Sequence, residues 1–292
     1  MNLNQFLLAL HLTPGLGKAK EAKVIAALNQ QGNPEQGPYP WPFLTLALVL
    51  GLEPGSQPYR QIQASYEWSL DKALAYQGDW LTYFDADYPK RLKEIYQPPL
   101  VLFYQGDFRA LTLPSLAVVG ARAASPYGLA ALRQLLPDVV KTGISVVSGL
   151  AKGIDVMAHQ MTFHYGGVPV AVIGTGLDRA YPANHRLLQD QVGQQGLLLS
   201  EYPVGSLPLR SHFPDRNRII AGLSSATLVI ETKHHSGSLI TANLALQENR
   251  QVLAVPGPIN APLSVGPNEL IQAGALPVLT SSDIIKAVSC LT

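Results

Sequence analysis

The sequence predicts an α/β protein built on a doubly wound, mostly parallel sheet, with a small all-helical domain ahead of it. Three observations carry this. From Leu116 onward, short apolar runs alternate with helical stretches. The runs are continuous rather than alternately apolar and polar, as befits strands covered on both faces. Up to about Leu81 the patterning is helical only.

In the N-terminal part, Phe6-Leu7-Leu8-Ala9-Leu10 and Val24-Ile25-Ala26-Ala27-Leu28 are the buried faces of two helices. Between them runs Thr13-Pro14-Gly15-Leu16-Gly17-Lys18-Ala19-Lys20. Glycines two apart around an apolar residue suit a tight hairpin whose second helix begins with exposed amides. Such a helix-hairpin-helix turn can hold a DNA phosphate, with Gly15, Gly17, Lys18 and Lys20 as contacts. The plainer reading is an interhelical turn without a ligand. Gln30 to Pro42, rich in Pro, Gly and Gln, reads as a loop. Tyr88-Pro89, Pro98-Pro99 and Leu100-Val101-Leu102-Phe103-Tyr104 describe a linker and a short strand. The expected organisation is a helical domain over 1–81, a linker and lead-in strand over 82–115, and the sheet domain over 116–292.

In that last part the spacing predicts strands at Leu116–Gly120, Ile144–Ser148, Pro169–Ile173, Gly196–Ser200, Ala226–Glu231, Val252–Val255 and Pro277–Leu279. Helices are expected at Tyr127–Lys141, Gly153–Tyr165, Asn184–Val192, Asp215–Leu223, Ser238–Glu248 and Pro267–Ala273.

Composition bounds the function. The chain has 292 residues, 47% of them hydrophobic and 14% charged, which describes a well-cored protein and excludes a disordered one. The formal net charge of +1 exerts no global pull on nucleic acid, so any anion site must be local. A single cysteine, Cys290, excludes a disulfide framework and cysteine-rich metal sites and fits a reducing cytoplasm. The N-terminus lacks the basic stretch of a secretory signal, and no apolar run approaches the ~20 residues that span a bilayer. The expected location is cytoplasmic, without a membrane partner.

Ligands on doubly wound sheets bind beyond the carboxyl ends of the strands, and the informative residues fall there. The successive loops carry Gly120-Ala121-Arg122, then Ser148-Gly149 with Lys152-Gly153 and Asp155, then Gly174-Thr175-Gly176-Leu177-Asp178 with Tyr181-Pro182. Later loops carry Glu201 and Tyr202 leading to Arg210, His212 and Phe213, then Lys233 with Ser236-Gly237-Ser238 and Thr241, then Pro256-Gly257. Glycines let backbone approach an anion, helix starts supply amides, and Arg122 and Lys152 would neutralise charge. Singly, each loop reads as turn chemistry; together, on one sheet edge, they read as an anion groove. Phe213-Pro214-Asp215-Arg216-Asn217-Arg218 adds a ring, two guanidiniums and an amide beside an apolar helix, a set that can hold a phosphate backbone and stack a base. The alternative there is a solvated helix start with Asp215 as N-cap.

Enzyme templates fail. Gly174-Thr175-Gly176 lacks the third glycine of a dinucleotide fingerprint, no stretch matches a Walker A loop, and Val146 stands where a nucleophile elbow around Ser148 needs glycine. His159 and His164 are five apart, and His234 and His235, if on a strand, face opposite ways, so no metal is expected. Asp155, Asp178 and Glu201 read as caps or arginine braces. Neither a catalytic residue nor a cofactor is assigned.

The ordered motifs resemble the DNA-processing protein A (DprA, also called Smf) family over about Asp85 to Ile285. They are Val118-Val119-Gly120-Ala121-Arg122, Ser148 to Asp155 with Ala158-His159, Gly174 to Asp178 with Tyr181-Pro182, Phe213-Pro214 with Arg216 to Ser224, Ser236 to Ala242, Val255-Pro256-Gly257 and Gly266-Pro267-Asn268. The resemblance implies an extended Rossmann-like domain that binds single-stranded DNA. It implies a homodimer that protects incoming DNA in natural transformation and loads the RecA recombinase, with no chemical reaction. By motif position Arg122 and Lys152 would be phosphate contacts. Phe213, Arg216, Asn217 and Arg218 would line the groove, and Ser236 to Thr241 would hold phosphate. The N-terminal part more weakly resembles a sterile-alpha-motif-like or helix-hairpin-helix domain. Two departures stand out: Ala121 replaces the usual serine, and the chain stops soon after Ile285, so the winged-helix domain of many members is expected to be missing. The alternatives are a nucleotide phosphohydrolase on the lysine-decarboxylase-like Rossmann fold, whose Pro-Gly-Gly-x-Gly-Thr loop is lacking here, and a small-nucleotide sensor using the same loops.

Overall fold

A computed structural model of the chain describes residues 1–289; Cys290 lies outside the described residues. The chain divides into two compact units, Met1–Phe103 and Tyr104–Thr292. The stretch 82–115, expected as linker and lead-in strand, is shared between them.

The first unit holds α1 (Leu3–Leu12), α2 (Lys18–Asn29), α3 (Phe43–Leu50), α4 (Gln57–Leu74), β1 (Asp79–Thr82), α5 (Lys90–Lys93) and the start of β2 (Val101–Gly106). A capping box formed by Asn2 and Gln5 starts α1. Its apolar face, with Phe6, Leu7 and Leu10 fully buried, packs against α4. The hairpin between α1 and α2 forms as a turn: Gly15 takes a left-handed φ of +87°, Gly17 is the N-cap of α2, and Lys20 Nζ donates to the Gly15 carbonyl at 3.0 Å. Lys20 therefore closes the turn itself. Residues 82–103 are also cored, with Tyr88, Leu92 and Ile95 buried.

The second unit continues with β3 (Ser115–Val119), α6 (Pro126–Lys141), β4 (Ser145–Ser148), α7 (Ile154–His164), β5 (Pro169–Ile173), α8 (Arg186–Gln195) and β6 (Leu197–Ser200). Then come α9 (His212–Leu223), β7 (Ala226–Val229), α10 (Gly237–Gln247), β8 (Gln251–Ala254), α11 (Val265–Gln272), β9 (Leu276–Pro277) and α12 (Ser281–Ser289). Its strands lie in the order β6-β5-β4-β3-β7-β8-β9, paired in parallel throughout. Because they are parallel, every loop that follows a strand emerges at the same edge. Strands β3 to β6 step one way and β7 to β9 the other, so the switch in strand order falls between β3 and β7, where Val119 pairs with Val229. Leu116, Val118, Val146 and Leu228 meet α6, α7 and α12 in one buried layer, continued by Ala171, Ile173 and Leu198 against Val192 of α8. The opposite layer is built from α9 and α10, which pack on each other and on β5 and β7.

Two of the departures from the expected helices bear on the site and the core. Helix α9 begins at His212 with Ser211 as N-cap, so Asp215 is a first-turn acid rather than the cap. Pro214 does not delay the start, because a first-turn proline loses no intrahelical hydrogen bond. Helix α12 was not expected; its Ile284 and Val288 are fully buried in the main core.

Candidate nucleic-acid interface

At the switch point lies a groove of about 1060 Å³, contained within the second unit. Gly120, Ala121 and Arg122 follow β3 on one side; Glu231, Thr232 and Lys233 follow β7 on the other. The first turn of α10 and one face of α9 complete the walls. Arg122 and Lys233 are exposed, so each can meet a mobile anion.

The rim is fixed by short bonds between loops. Ser238 Oγ donates to the Gly120 carbonyl at 2.8 Å, tying α10 to the end of β3. The Ala121 amide donates to the Glu231 carbonyl at 2.8 Å, and the Ala121 carbonyl accepts from Ile154 N at 3.2 Å. Asn217 Nδ2 donates to the Gly237 carbonyl at 3.3 Å, joining α9 to α10. Ser236 caps α10 by accepting from Leu239 N and also bonds Thr232 Oγ1. Thr241 Oγ1 donates to Gly237 O at 3.3 Å. The hydroxyls of Ser236, Ser238 and Thr241 are thus committed to the protein, and what this corner offers an anion is the amide end and dipole of α10. Glu231 Oε1 and Oε2 accept from Ser125 N and Ser125 Oγ at 2.6 and 2.5 Å, which fixes the start of α6.

Helix α9 separates the two arginines that sequence reasoning grouped together. Phe213, Arg216, Asn217 and Ile220 line the groove, at the three- and four-residue spacing of one helix face. Arg218, two positions from Arg216, falls about 200° away; it is buried, pairs with Glu201 and does not line the groove. Arg216 forms the floor rather than an exposed contact. It is 5% exposed, and its Nη1 donates to the carbonyls of Gly149, at 2.7 Å, and Val172. It thereby bridges the ends of β4 and β5. Burial lowers its pKa to about 10, opposed by the Asp155 carboxylate, so it stays charged at neutral pH.

Below that floor lies a buried polar cluster. Asp155 accepts from the amides of Gly149 and Ala151 at 3.2 and 3.4 Å. Burial pushes its pKa up to about 6 against the pull of Arg216. Burial first, and Arg216 second, push the His159 imidazole down to about 3. Glu201 pairs with Arg218, Asp155 holds backbone amides, and Asp178 accepts from Gly205 N at 2.9 Å. Ser148 is fully buried with its hydroxyl on Val118 O at 2.7 Å. Gly149 and Gly153 act through their shape. A side chain at Gly149 would strike the Arg216 guanidinium, and Gly153, at φ +78°, would strike the Ala121 carbonyl. Lys152 is exposed on the same loop but does not line the groove. Ser148, Gly149, Lys152, Gly153 and Arg218 thus lie outside the groove lining, with Ser148, Gly149, Gly153 and Arg218 packed behind it and Lys152 exposed beside it. Gly15, Gly17, Lys18 and Lys20 belong to the other unit.

Aromatic rings flank the charged middle. Tyr181 and Phe213 contact each other with centroids 5.1 Å apart, and a methyl group at Gly174 would meet Phe213 at 3.4 Å, which puts the ring over the end of β5. Tyr127 also lines the groove, as does Arg210. Tyr127 read in the sequence only as a helix start, and Glu231 only as a strand end. His234 and His235 sit in the loop after β7 rather than on a strand, and their rings touch, with centroids 3.7 Å apart. Among the described residues no group of three or more His, Cys, Asp or Glu side chains is placed to hold a metal, and no helix is long and apolar enough to cross a membrane.

Residues 79–289 match the family described as DNA recombination-mediator protein A. The chain belongs to that family. It is 47% identical to the DNA processing protein DprA of Streptococcus pneumoniae over 201 residues, 69% of this chain and 71% of that protein. It spans about half the length of several other curated relatives that it matches. Among solved structures of the family, DprA from Streptococcus pneumoniae superposes with a TM-score of 0.88 at 36% identity, covering 98% of both chains. DNA processing protein A from Helicobacter pylori, whose structure was described for its single-stranded DNA binding mode, superposes with a TM-score of 0.65 at 28% identity, over 73% of this chain and 97% of that one.

Proposed function

We propose that this chain binds single-stranded DNA in the groove between β3 and β7. In this reading it protects incoming DNA during natural transformation and loads RecA recombinase onto it as a homodimer in the cytoplasm. The observation that carries the reading is the convergence on one rim of exposed Arg122 and Lys233, the amide end of α10 and the Phe213 ring. Cations and amides hold phosphates, while a ring stacks any base, so the combination suits an unpaired strand of any sequence. The single-stranded DNA binding described for the Helicobacter pylori relative supports the same reading. No chemical step is assigned, because Asp155 is engaged with backbone amides, Glu201 with Arg218 and Glu231 with Ser125.

The test is fluorescence anisotropy with single- and double-stranded oligonucleotides at two salt concentrations. The single strand is expected to bind more tightly, with affinity falling as salt rises. Arg122→Ala should weaken it several-fold and reduce the salt slope by about one. Lys152→Ala, off the groove lining, should change it less. An Arg122→Ala protein that folds and binds as tightly as the unaltered chain would remove the phosphate role. For the downstream role, RecA filament growth on strands already covered by single-strand-binding protein should accelerate when this protein is added.

A further inference from the structure

The groove has two aromatic ends, and only one of them was expected. Phe213, with Tyr181 against it, stands over the end of β5. At the other end Tyr127 projects from the first turn of α6, 43% exposed, and its hydroxyl donates to the Pro256 carbonyl just past β8 at 2.5 Å. That bond anchors the ring over the end of β8. From β5 to β8 the sheet runs β5-β4-β3-β7-β8, four interstrand steps of ~4.8 Å, or ~19 Å in all. Between the two lie Arg122, Lys233 and the start of α10. The segment after β8 lines the groove with Pro258, Ala261, Pro262, Leu263 and Ser264 and adds no basic side chain to it. With no cation there, that end suits a base better than a phosphate.

We infer that Tyr127 is a second base-stacking platform, so that the groove holds a strand by a base at each end and its phosphates over the middle. The inference rests on the single-strand reading above and deepens it. A mononucleotide cannot touch both platforms; an oligonucleotide can, so the Phe213–Tyr127 separation sets the shortest strand that binds fully. Tyr127 is ready for the task before the strand arrives, because its tether to Pro256 removes ring motion that stacking would otherwise have to freeze.

The experiment titrates the full chain with an oligothymidylate and with an equally long abasic deoxyribose-phosphate oligomer of the same charge. Tyr127→Ala should lose at least about fivefold in affinity for the base-bearing strand, the low end of what one stacked base contributes, and nothing for the abasic one. Tyr127→Phe, which keeps the ring, should retain most of the affinity. Thermal melting checks that each variant is folded; the position is exposed enough that it should be. Unchanged affinity of Tyr127→Ala for oligothymidylate, or an equal loss on both strands, overturns the second platform while leaving the single-strand reading intact. An unaltered protein that binds neither strand overturns both.

Discussion

Two side chains beneath the groove floor give opposite pH signatures. His159 titrates near 3 in the folded chain, against an ordinary value of 6.5, because it is buried and lies near Arg216. Its depressed pKa means that the unfolded chain takes up the proton first, so it contributes stability above pH 6.5 that is lost as pH falls toward 3. Asp155 is raised from 3.8 to about 6, so the folded chain takes up that proton first and acidification from 6 toward 4 returns stability. Urea denaturation as a function of pH should therefore show a steeper acid loss in Asp155→Asn and a shallower one in His159→Leu than in the unaltered chain. Neither signature was legible in the sequence: Asp155 read as a cap or brace, and His159 as a failed metal ligand and a motif residue without a role of its own. Arg122, by contrast, was legible, because a basic residue just after a strand-end glycine has few places to go but the rim. Arg216 and Arg218 were misgrouped for want of one geometric step. Residues two apart on a helix point almost opposite ways, so only one of them can face the groove.

The parallel strands were legible because each is a short apolar run stopped by glycine or a polar loop. Pro169–Ile173 is found with the expected limits, and most others lie within a residue or two. Helix α12 was missed because its apolar stripe, Ile284, Ala287 and Val288, sits in a short serine-rich tail. The signal present was Asp283, whose carboxylate accepts from the amides of Leu279 and Thr280 at 3.0 and 2.9 Å just ahead of the helix. At this scale the loop from β4 to α7 is the most constrained part of the site. Gly153 combines a left-handed φ with backbone contact to the β3 loop, so Gly153→Ala must both strain the chain and push Ala121 and Arg122 aside. It should lower stability by about 2 kcal/mol or more, measured by denaturant melting, and weaken strand binding through Arg122 although residue 153 is not part of the groove lining.

For the whole molecule, the decisive contrast is between a strand binder and a sensor of small nucleotides. A groove of about 1060 Å³ lies at the upper edge of the ~300–1,000 Å³ range typical of small-ligand pockets, and it is the spread of cations between two rings that favours the strand. Thermal-shift measurements should accordingly show little stabilisation by nucleoside monophosphates and an increase with oligonucleotide length; equal shifts at all lengths would favour the sensor. The groove could be foreseen because parallel topology fixes which loops converge, while the inner bracing could not, since it depends on which faces the helices turn inward. The gathering of cations into one groove, on a chain whose formal net charge is only +1, bears on crowding. Once a strand's phosphates have neutralised that patch, what a bound copy shows its neighbour along the polymer is close to electrically balanced. Adjacent copies then meet with little mutual repulsion, and how densely they carpet a long strand is governed by molecular girth rather than by charge.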